Sequence, residues 1–287
     1  MTYHLVRLAS RLACLLPGGF ADALGRALAL CLWPFLPARR KKLAASQVAV
    51  CLGTDEAESR RIAKESAVRF GPMLFEVLRF PVILRRMADY VEIEGTEHLR
   101  AMLEKGKGAV IATAHAGNWE LMGGALSSAG FPIIGVAMRQ RDAAMDRFIN
   151  EYRRLVGMHI TYKDDVREMF RMMKEGWIVG LLADQDTNKH DGIVLDFFGQ
   201  PTNCVPGPAA MARSAGIGII PGYITRRKDG THKIILHAPV EVPRTKDKRA
   251  DIRTAEQAVN RVLEQHIREH PEEWFWLHDR WKSMREE

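Results

Sequence analysis

The chain has 287 residues, 47% of them hydrophobic, and carries 42 Lys and Arg against 35 Asp and Glu for a net charge of +7. That length suits one large domain or two small ones around a well-buried core. Cys14, Cys31, Cys51 and Cys204 are scattered, without CxxC or any metal spacing, which excludes a disulfide scaffold and reads as free thiols in a reducing compartment.

Residues 1–50 hold seven basic residues and a single acid, Asp22, so nearly all of the net charge sits at this end. A basic end points to an anionic partner. The intervening sequence "LVRLASRLACLLPGGFADALGRALALCLWPFLPARRKK" is Leu- and Ala-rich, unlike a nucleic-acid arm, so nucleic acid is not expected. Its uncharged runs are too short for a clean transmembrane helix, and no cleavage site ends an h-region as in a signal peptide. The segment is therefore expected to be two amphipathic helices lying on an anionic membrane surface. Trp33, Arg39, Arg40, Lys41 and Lys42 would meet the headgroups. An ordinary core-facing helical hairpin is the competing reading. The cytoplasmic face of a membrane satisfies all these bounds.

Residues 54–88 read as helical, with a kink at Gly71-Pro72 and a stop near Pro81. From residue 91 the rhythm changes. "VEIEG", "GAVIATAH", "PIIGVAMR", "HITYK", "WIVGLLADQ", "GIGIIPGYI" and "KIILHAPVEV" are short β-rich runs, with helical segments near 96–105, 118–129, 142–157, 164–175 and 206–215 and a last helix over 252–269. This alternation predicts an α/β fold, layered, with a largely parallel central sheet flanked by helices. The division is expected to be 1–50 as the membrane-associating segment and 51–287 as the α/β domain.

Ligands in such sheets sit beyond the carboxyl ends of the strands. "GAVIATA" is one of those strands, and Asn118 or its predecessor can cap the helix that follows, which places His115 in the strand-to-helix turn. From the first turns of that helix Glu120 can reach back to the imidazole, and Gly117 gives the turn its backbone freedom. A neutral imidazole can take a proton from an alcohol, and a carboxylate behind it fixes the tautomer. No Ser or Cys occupies the turn and no G-x-S-x-G is present, so direct attack by an acceptor hydroxyl on an activated acyl group is the remaining logic. On spacing alone, a structural histidine is the better reading of H-x4-E.

The company of the pair changes that reading. "HAGNWE" on a β-α turn resembles the H-x4-D/E block of the glycerolipid (lysophospholipid) acyltransferase superfamily. Within it the chain resembles the lipid A late acyltransferases, the lauroyl and myristoyl transferases. The likeness covers nearly the whole chain: "ARRKKLAASQVAVCLG", "HAGNWELMG", "GVAMRQRDAAMDRFINEYR", "GWIVGLLADQD", "FFGQPTNCVPGPAAMARSAGIGIIPGYITR" and "PEEWFWLHDRWK". It implies His115 as general base and Glu120 as its charge partner. The donor would be an acyl carrier protein or coenzyme A thioester. The acceptor would be a lipid A precursor or another lysolipid at the cytoplasmic face of the inner membrane, with no cofactor and no metal.

Arg139, one strand-end away, is expected to hold a donor or acceptor phosphate, unless it is simply solvated. Arg141, Arg147 and Arg153 are weaker candidates. "LLADQD" brings Asp184, Gln185 and Asp186 to the same sheet edge, where with Asn118 they are expected to bind substrate groups; a structural role for the carboxylates is the alternative. Trp274 and Trp276 read as packing, and His278-Asp279 as an ordinary solvated pair. The chain departs from the pattern in lacking an "EGTR"-like block, which favours the lipid A branch. It also lacks the clean N-terminal transmembrane helix of many members.

Overall fold

The change of rhythm at residue 91 marks the start of the sheet. The computed structural model describes residues 2–139 and 142–285. Among these, the strands are β1 Val91–Glu94, β2 Ala109–Thr113, β3 Ile133–Ala137, β4 His159–Tyr162, β5 Ile178–Leu182, β6 Ile193–Phe197, β7 Gln200–Cys204, β8 Ile219–Arg226 and β9 His232–Leu236. Seven form one sheet in the order β1-β9-β8-β2-β5-β3-β4. Every neighbouring pair is parallel except β8 and β9, whose short connection permits only an antiparallel hairpin. The expected largely parallel sheet is present.

Alternate residues of β2 enter opposite layers. Ile111 packs with Leu99 and Met102 of α8 (Thr96–Leu103), with Leu121 and Leu126 of α9 (Trp119–Ser128), and with Phe148 of α10 (Ala143–Leu155). Val110 and Ala112 pack with Met169 and Met173 of α11 (Val166–Lys174), Ala212 of α12 (Gly207–Ala215) and Val259 of α13 (Lys248–Glu269). A third cluster caps the carboxyl ends of the strands. There Ala114 and Ala116 meet Val48, Ile62, Phe197, Trp274 and Trp276.

That cap draws on parts of the chain far apart in sequence. Helices α1 Thr2–Leu15, α2 Gly18–Leu32, α3 Ala38–Leu52, α4 Glu56–Val68 and α5 Phe70–Leu78 precede the sheet, with short helices α6 Phe80–Ile83 and α7 Met87–Tyr90 leading into it. The helical break falls at Arg69, before Gly71-Pro72, because Pro72 sits in the first turn of α5, where a missing N–H costs nothing. A boundary at residue 50 falls inside α3. Gln47 of that helix donates to the Trp276 carbonyl at 2.8 Å, tying it to the C-terminal segment. The C-terminal residues end in the short α14 Lys282–Arg285.

Helices α1 and α2 dock on the body by one side. Ser10 Oγ donates to the Leu78 carbonyl at 2.6 Å, and Tyr3 OH donates to Glu151 at 2.5 Å. Leu5, Leu8, Leu12 and Leu15 of α1, with Phe20, Leu28 and Leu32 of α2 and Phe35 beyond it, stay exposed. Among the described residues no single helix is long and apolar enough to cross a membrane; Gly18–Phe35 and Ala38–Leu52 pass that test only as a pair bent by 108°.

The sequence reading missed β6 and β7. Their two-residue turn uses Phe198 at φ 53° and Gly199 at φ 74°, a hairpin turn with both φ positive. Phenylalanine is a poor signal for such a turn.

Helices α2 and α5 cross at Gly25 and Gly71, and a Cβ on Gly25 would lie 2.6 Å from the Gly71 carbonyl oxygen. Gly71→Ala would push its Cβ into the Gly25 carbonyl, and should cost about 1–3 kcal/mol in a denaturant titration. Gly19→Ala, with open space around it, should be neutral or stabilising.

Candidate active site

After Thr113 the chain leaves β2 and turns through 114–117 into α9. Gly117 sits at φ 61°, and a side chain there would overlap the Ile224 carbonyl oxygen, so both backbone angle and space require glycine. The C-terminal segment clamps this turn. Gly117 N–H donates to the Glu273 carbonyl at 3.0 Å, and Phe275 N–H donates to the His115 carbonyl at 3.0 Å. From α4's end, Arg69 donates to the Gly117 carbonyl at 2.9 Å and pairs with the Glu273 carboxylate.

Asn118 caps α9 by accepting from Leu121 N–H at 3.0 Å, and its amide donates to Glu76 at 2.7 Å. It is buried, with both side-chain groups spent on the protein. Asn118, expected to contact substrate, here sets the angle at which the turn enters the helix.

The His115 imidazole, 21% exposed, has its Nδ1 2.7 Å from Asp184 Oδ1. Asp184 follows β5, which lies directly beside β2, so adjacent strand ends deliver the two groups to one place. Trp274 Nε1–H donates to the other carboxylate oxygen at 2.8 Å. Burial opposes charge on Asp184, but His115 and the Trp274 and His115 N–H donors outweigh it and hold the carboxyl below its usual range. Burial likewise disfavours the imidazolium. The charge and hydrogen bond of Asp184, with a weaker contribution from Glu120, overcome it and raise the His115 pKa. With the ionised carboxylate on Nδ1, that nitrogen carries the proton, and Nε2 of the neutral ring is left as a base.

Glu120 does not orient His115. Arg153 of α10 takes both its oxygens, Nε at 2.8 Å and Nη2 at 2.5 Å, in the two-pronged geometry that suits guanidinium and carboxylate. Spacing along the chain allowed Glu120 to reach back; the guanidinium on the neighbouring helix holds it elsewhere. Its link to the histidine is its charge, and its neighbour Trp119 packs edge-on against the imidazole at 5.0 Å.

The other candidates are dispersed. Arg139 follows β3, two strands from β2 with β5 between, so it is one strand farther than expected. Its guanidinium stacks on Tyr162, 3.8 Å from the ring centroid, and remains exposed. Asp186 accepts from Ser283 Oγ at 2.7 Å and Ser283 N–H at 2.8 Å, and its own N–H donates to His278 Nε2 at 3.0 Å. Asp184 and Asp186, expected to bind substrate groups, here make contacts that build the site. Gln185 lies half-buried between them. His278, read as solvated, is part of this tether, and burial lowers its pKa. Arg147 stacks on Tyr3, and Arg141 lies outside the described residues. Trp33, Arg39, Arg40, Lys41 and Lys42 lie at the α2–α3 bend; Lys41 sits over the Trp33 ring at 5.5 Å, and Arg39, Arg40 and Lys42 are exposed.

Three contributors escaped the sequence reading. The sequence alone reads Trp274 as packing, although a buried indole N–H asks for an acceptor. Arg69 and Glu76 lie in the helical prelude, where no motif marks them. Glu76 is buried and accepts from Asn118, from Tyr90 OH at 3.0 Å and from Arg226 Nε at 3.3 Å, with His232 Nε2 at 2.8 Å.

The profile of the bacterial lipid A biosynthesis acyltransferases matches residues 1–283. A phosphatidylinositol mannoside acyltransferase of Mycobacterium tuberculosis is 29% identical over 221 residues, covering 74% of this chain and 67% of its own. The lipid A biosynthesis lauroyltransferase of Escherichia coli is 26% identical over 204 residues, covering 70% and 65%. Among solved structures, the 1-acyl-sn-glycerophosphate acyltransferase from Thermotoga maritima aligns over 87% of this chain and 98% of its own, at a TM-score of 0.37 and 16% identity.

A thermodynamic cycle tests the reassignment of Glu120. Glu120→Gln and Arg153→Met should each destabilise, and the double variant should recover a coupling of about 1–3 kcal/mol. Glu120→Gln combined with His115→Ala should be close to additive in stability at a pH where the ring is neutral, whereas a direct hydrogen bond between those two would make it non-additive there.

Proposed function

The chain belongs to the bacterial lipid A biosynthesis acyltransferase family, and from that premise we propose that it carries a fatty acyl chain from an acyl carrier protein or coenzyme A thioester to a hydroxyl of a lipid A precursor, with His115 as general base. Membership of that family supports an acyltransferase with a lipid acceptor. The observation that carries the roles is the relay Trp274–Asp184–His115, which leaves a single ring nitrogen as the base.

In the proposed reaction His115 Nε2 removes the hydroxyl proton as the oxygen attacks the thioester carbonyl. The tetrahedral intermediate collapses with cleavage of the carbon–sulfur bond, and the imidazolium returns its proton to the departing thiolate. Asp184 holds the tautomer and stabilises the imidazolium while it exists. Arg139 stands two strand spacings from β2, about 10 Å across the sheet, within reach of a phosphate on donor or acceptor. The leucines exposed along α1, with Phe35 and the basic residues at the α2–α3 bend, support a body resting on an anionic membrane surface. The cytoplasmic face of the inner membrane is the proposed side. A relative named for a phosphatidylinositol mannoside makes another glycolipid hydroxyl the second acceptor to test.

The test pairs acyl carrier protein and coenzyme A thioesters with lipid A precursors, other glycolipids and lysophospholipids, read by mass spectrometry. His115→Ala and Asp184→Asn should each lower kcat/KM by about 10²–10⁴-fold. Because the base must be neutral, activity should rise with pH through the raised pKa of His115. Removing the Asp184 charge lowers that pKa, so in Asp184→Asn the rising limb should move to lower pH while its plateau falls. Thioester loss without any acylated product would instead mark a hydrolase.

A further inference from the structure

Between α9 and the sheet lies a cavity of ≈ 70 Å³ that the site described so far does not use. Trp119, Glu120 and Arg153 line it, and Trp119 is the residue packed against the His115 ring. The strand register gives its direction. Thr113 and Leu182, partners at the catalytic ends of β2 and β5, line the top. Two residues down, Ile111 and Gly135 flank Gly180, their common register partner, and below them lie Ile133 and Leu126. The charged side chains on the wall, Glu120 and Arg153, neutralise each other, and with Thr113 they confine the polar groups to part of a lining that is otherwise mostly apolar.

Met158 occupies the middle of this space. A Cβ on Gly123 would lie 2.7 Å from its Sδ and Cε, and a Cβ on Gly135 would lie 2.8 Å from its Cε. The thioether therefore fills the room that two facing glycines leave, one in α9 and one in β3. Gly180 is different: a Cβ there would meet only the Ile134 carbonyl oxygen, at 3.7 Å, so its share of the space is open.

Resting on the acyl-transfer reading, we propose that this cavity takes the donor's acyl chain and that Met158 is the stop that sets its length. The cavity as it stands holds only a few methylenes. A longer chain has to displace the thioether, and methionine, unbranched with three rotatable bonds, can swing aside at little cost. Chain length is then set by how far Met158 yields before Leu126 and Ile133 close the bottom. Gly180 keeps the neighbouring volume free.

The two positions make opposite predictions. Met158→Ala removes the stop and should move the preferred thioester to longer chains. Gly180→Val fills open space with a residue suited to a strand, and should move it to shorter ones. A methylene in an apolar pocket changes discrimination by roughly 10-fold or more, so relative kcat/KM for donors two carbons apart should change by at least about that factor in each variant. Binding of S-alkyl pantetheine thioethers of increasing length, read as shifts in melting temperature, reports the pocket without turnover. Shifts of opposite sign in both assays support the proposal. Unshifted transfer and binding profiles in folded variants overturn it while leaving acyl transfer intact. A parent that binds the thioether series with the expected length shifts but transfers to no acceptor overturns the transfer reading and keeps the pocket.

Discussion

A carboxylate buried to 3% exposure is the constraint on which the site depends. An unpaired charge at Asp184 would cost several kcal/mol, about 3–5 when one partner of a buried pair is removed. The protein meets that cost with the imidazole on one oxygen and an indole N–H on the other. Each donor has to be brought in from elsewhere: His115 from the neighbouring strand end, Trp274 from the C-terminal segment. The segment that supplies the indole also bonds the backbone of the β2–α9 turn at Gly117 and His115. One short stretch, residues 273–275, thus satisfies the buried charge and sets the turn that carries His115.

A second buried carboxylate joins that turn to the outer helices. Burial works against charge on Glu76, but His232, Arg226 and Asn118 together hold its carboxyl below the usual range. Arg226 also pairs with Asp22 of α2, and Asn118 caps α9 directly after the β2–α9 turn. Helix α2 exposes Phe20, Leu28 and Leu32 on its outer side and meets α5, the helix that carries Glu76, at the Gly25–Gly71 crossing. The polar network and the close helix crossing fix the apolar outer helices and the active-site turn to the same element. The exposed apolar side of α2 and the turn that carries His115 are therefore mechanically continuous.

Local patterns in this chain were legible. The helices over 96–103, 119–128 and 207–215 follow from periodicity and caps, and His115 was placed in a strand-to-helix turn from the apolar run before it. Strand order was not legible, and it decides the chemistry. Inserting β5 between β2 and β3 puts Asp184 beside His115 and moves Arg139 one strand farther away. No spacing along the chain encodes that insertion. The same holds for Arg153, 33 residues from Glu120, which takes the carboxylate that the H-x4-E spacing offered to the histidine. "LLADQD" points to the site, but the partner that Asp184 bonds is 69 residues away, and the indole on its other oxygen is 90. The antiparallel turn of β9 against β8 and the β6–β7 hairpin likewise depend on connections whose residues carry weak signals.

The central claim is that Asp184 governs the state of His115. The most direct measurement is a ¹⁵N NMR titration of the imidazole in the resting protein, with signals assigned through His115→Gln. The account predicts a neutral ring protonated at Nδ1, with a pKa above the ordinary histidine value of 6.5 that falls in Asp184→Asn and shifts far less in Glu120→Gln. A ring protonated at Nε2, or a pKa that follows Glu120 and ignores Asp184, would contradict it.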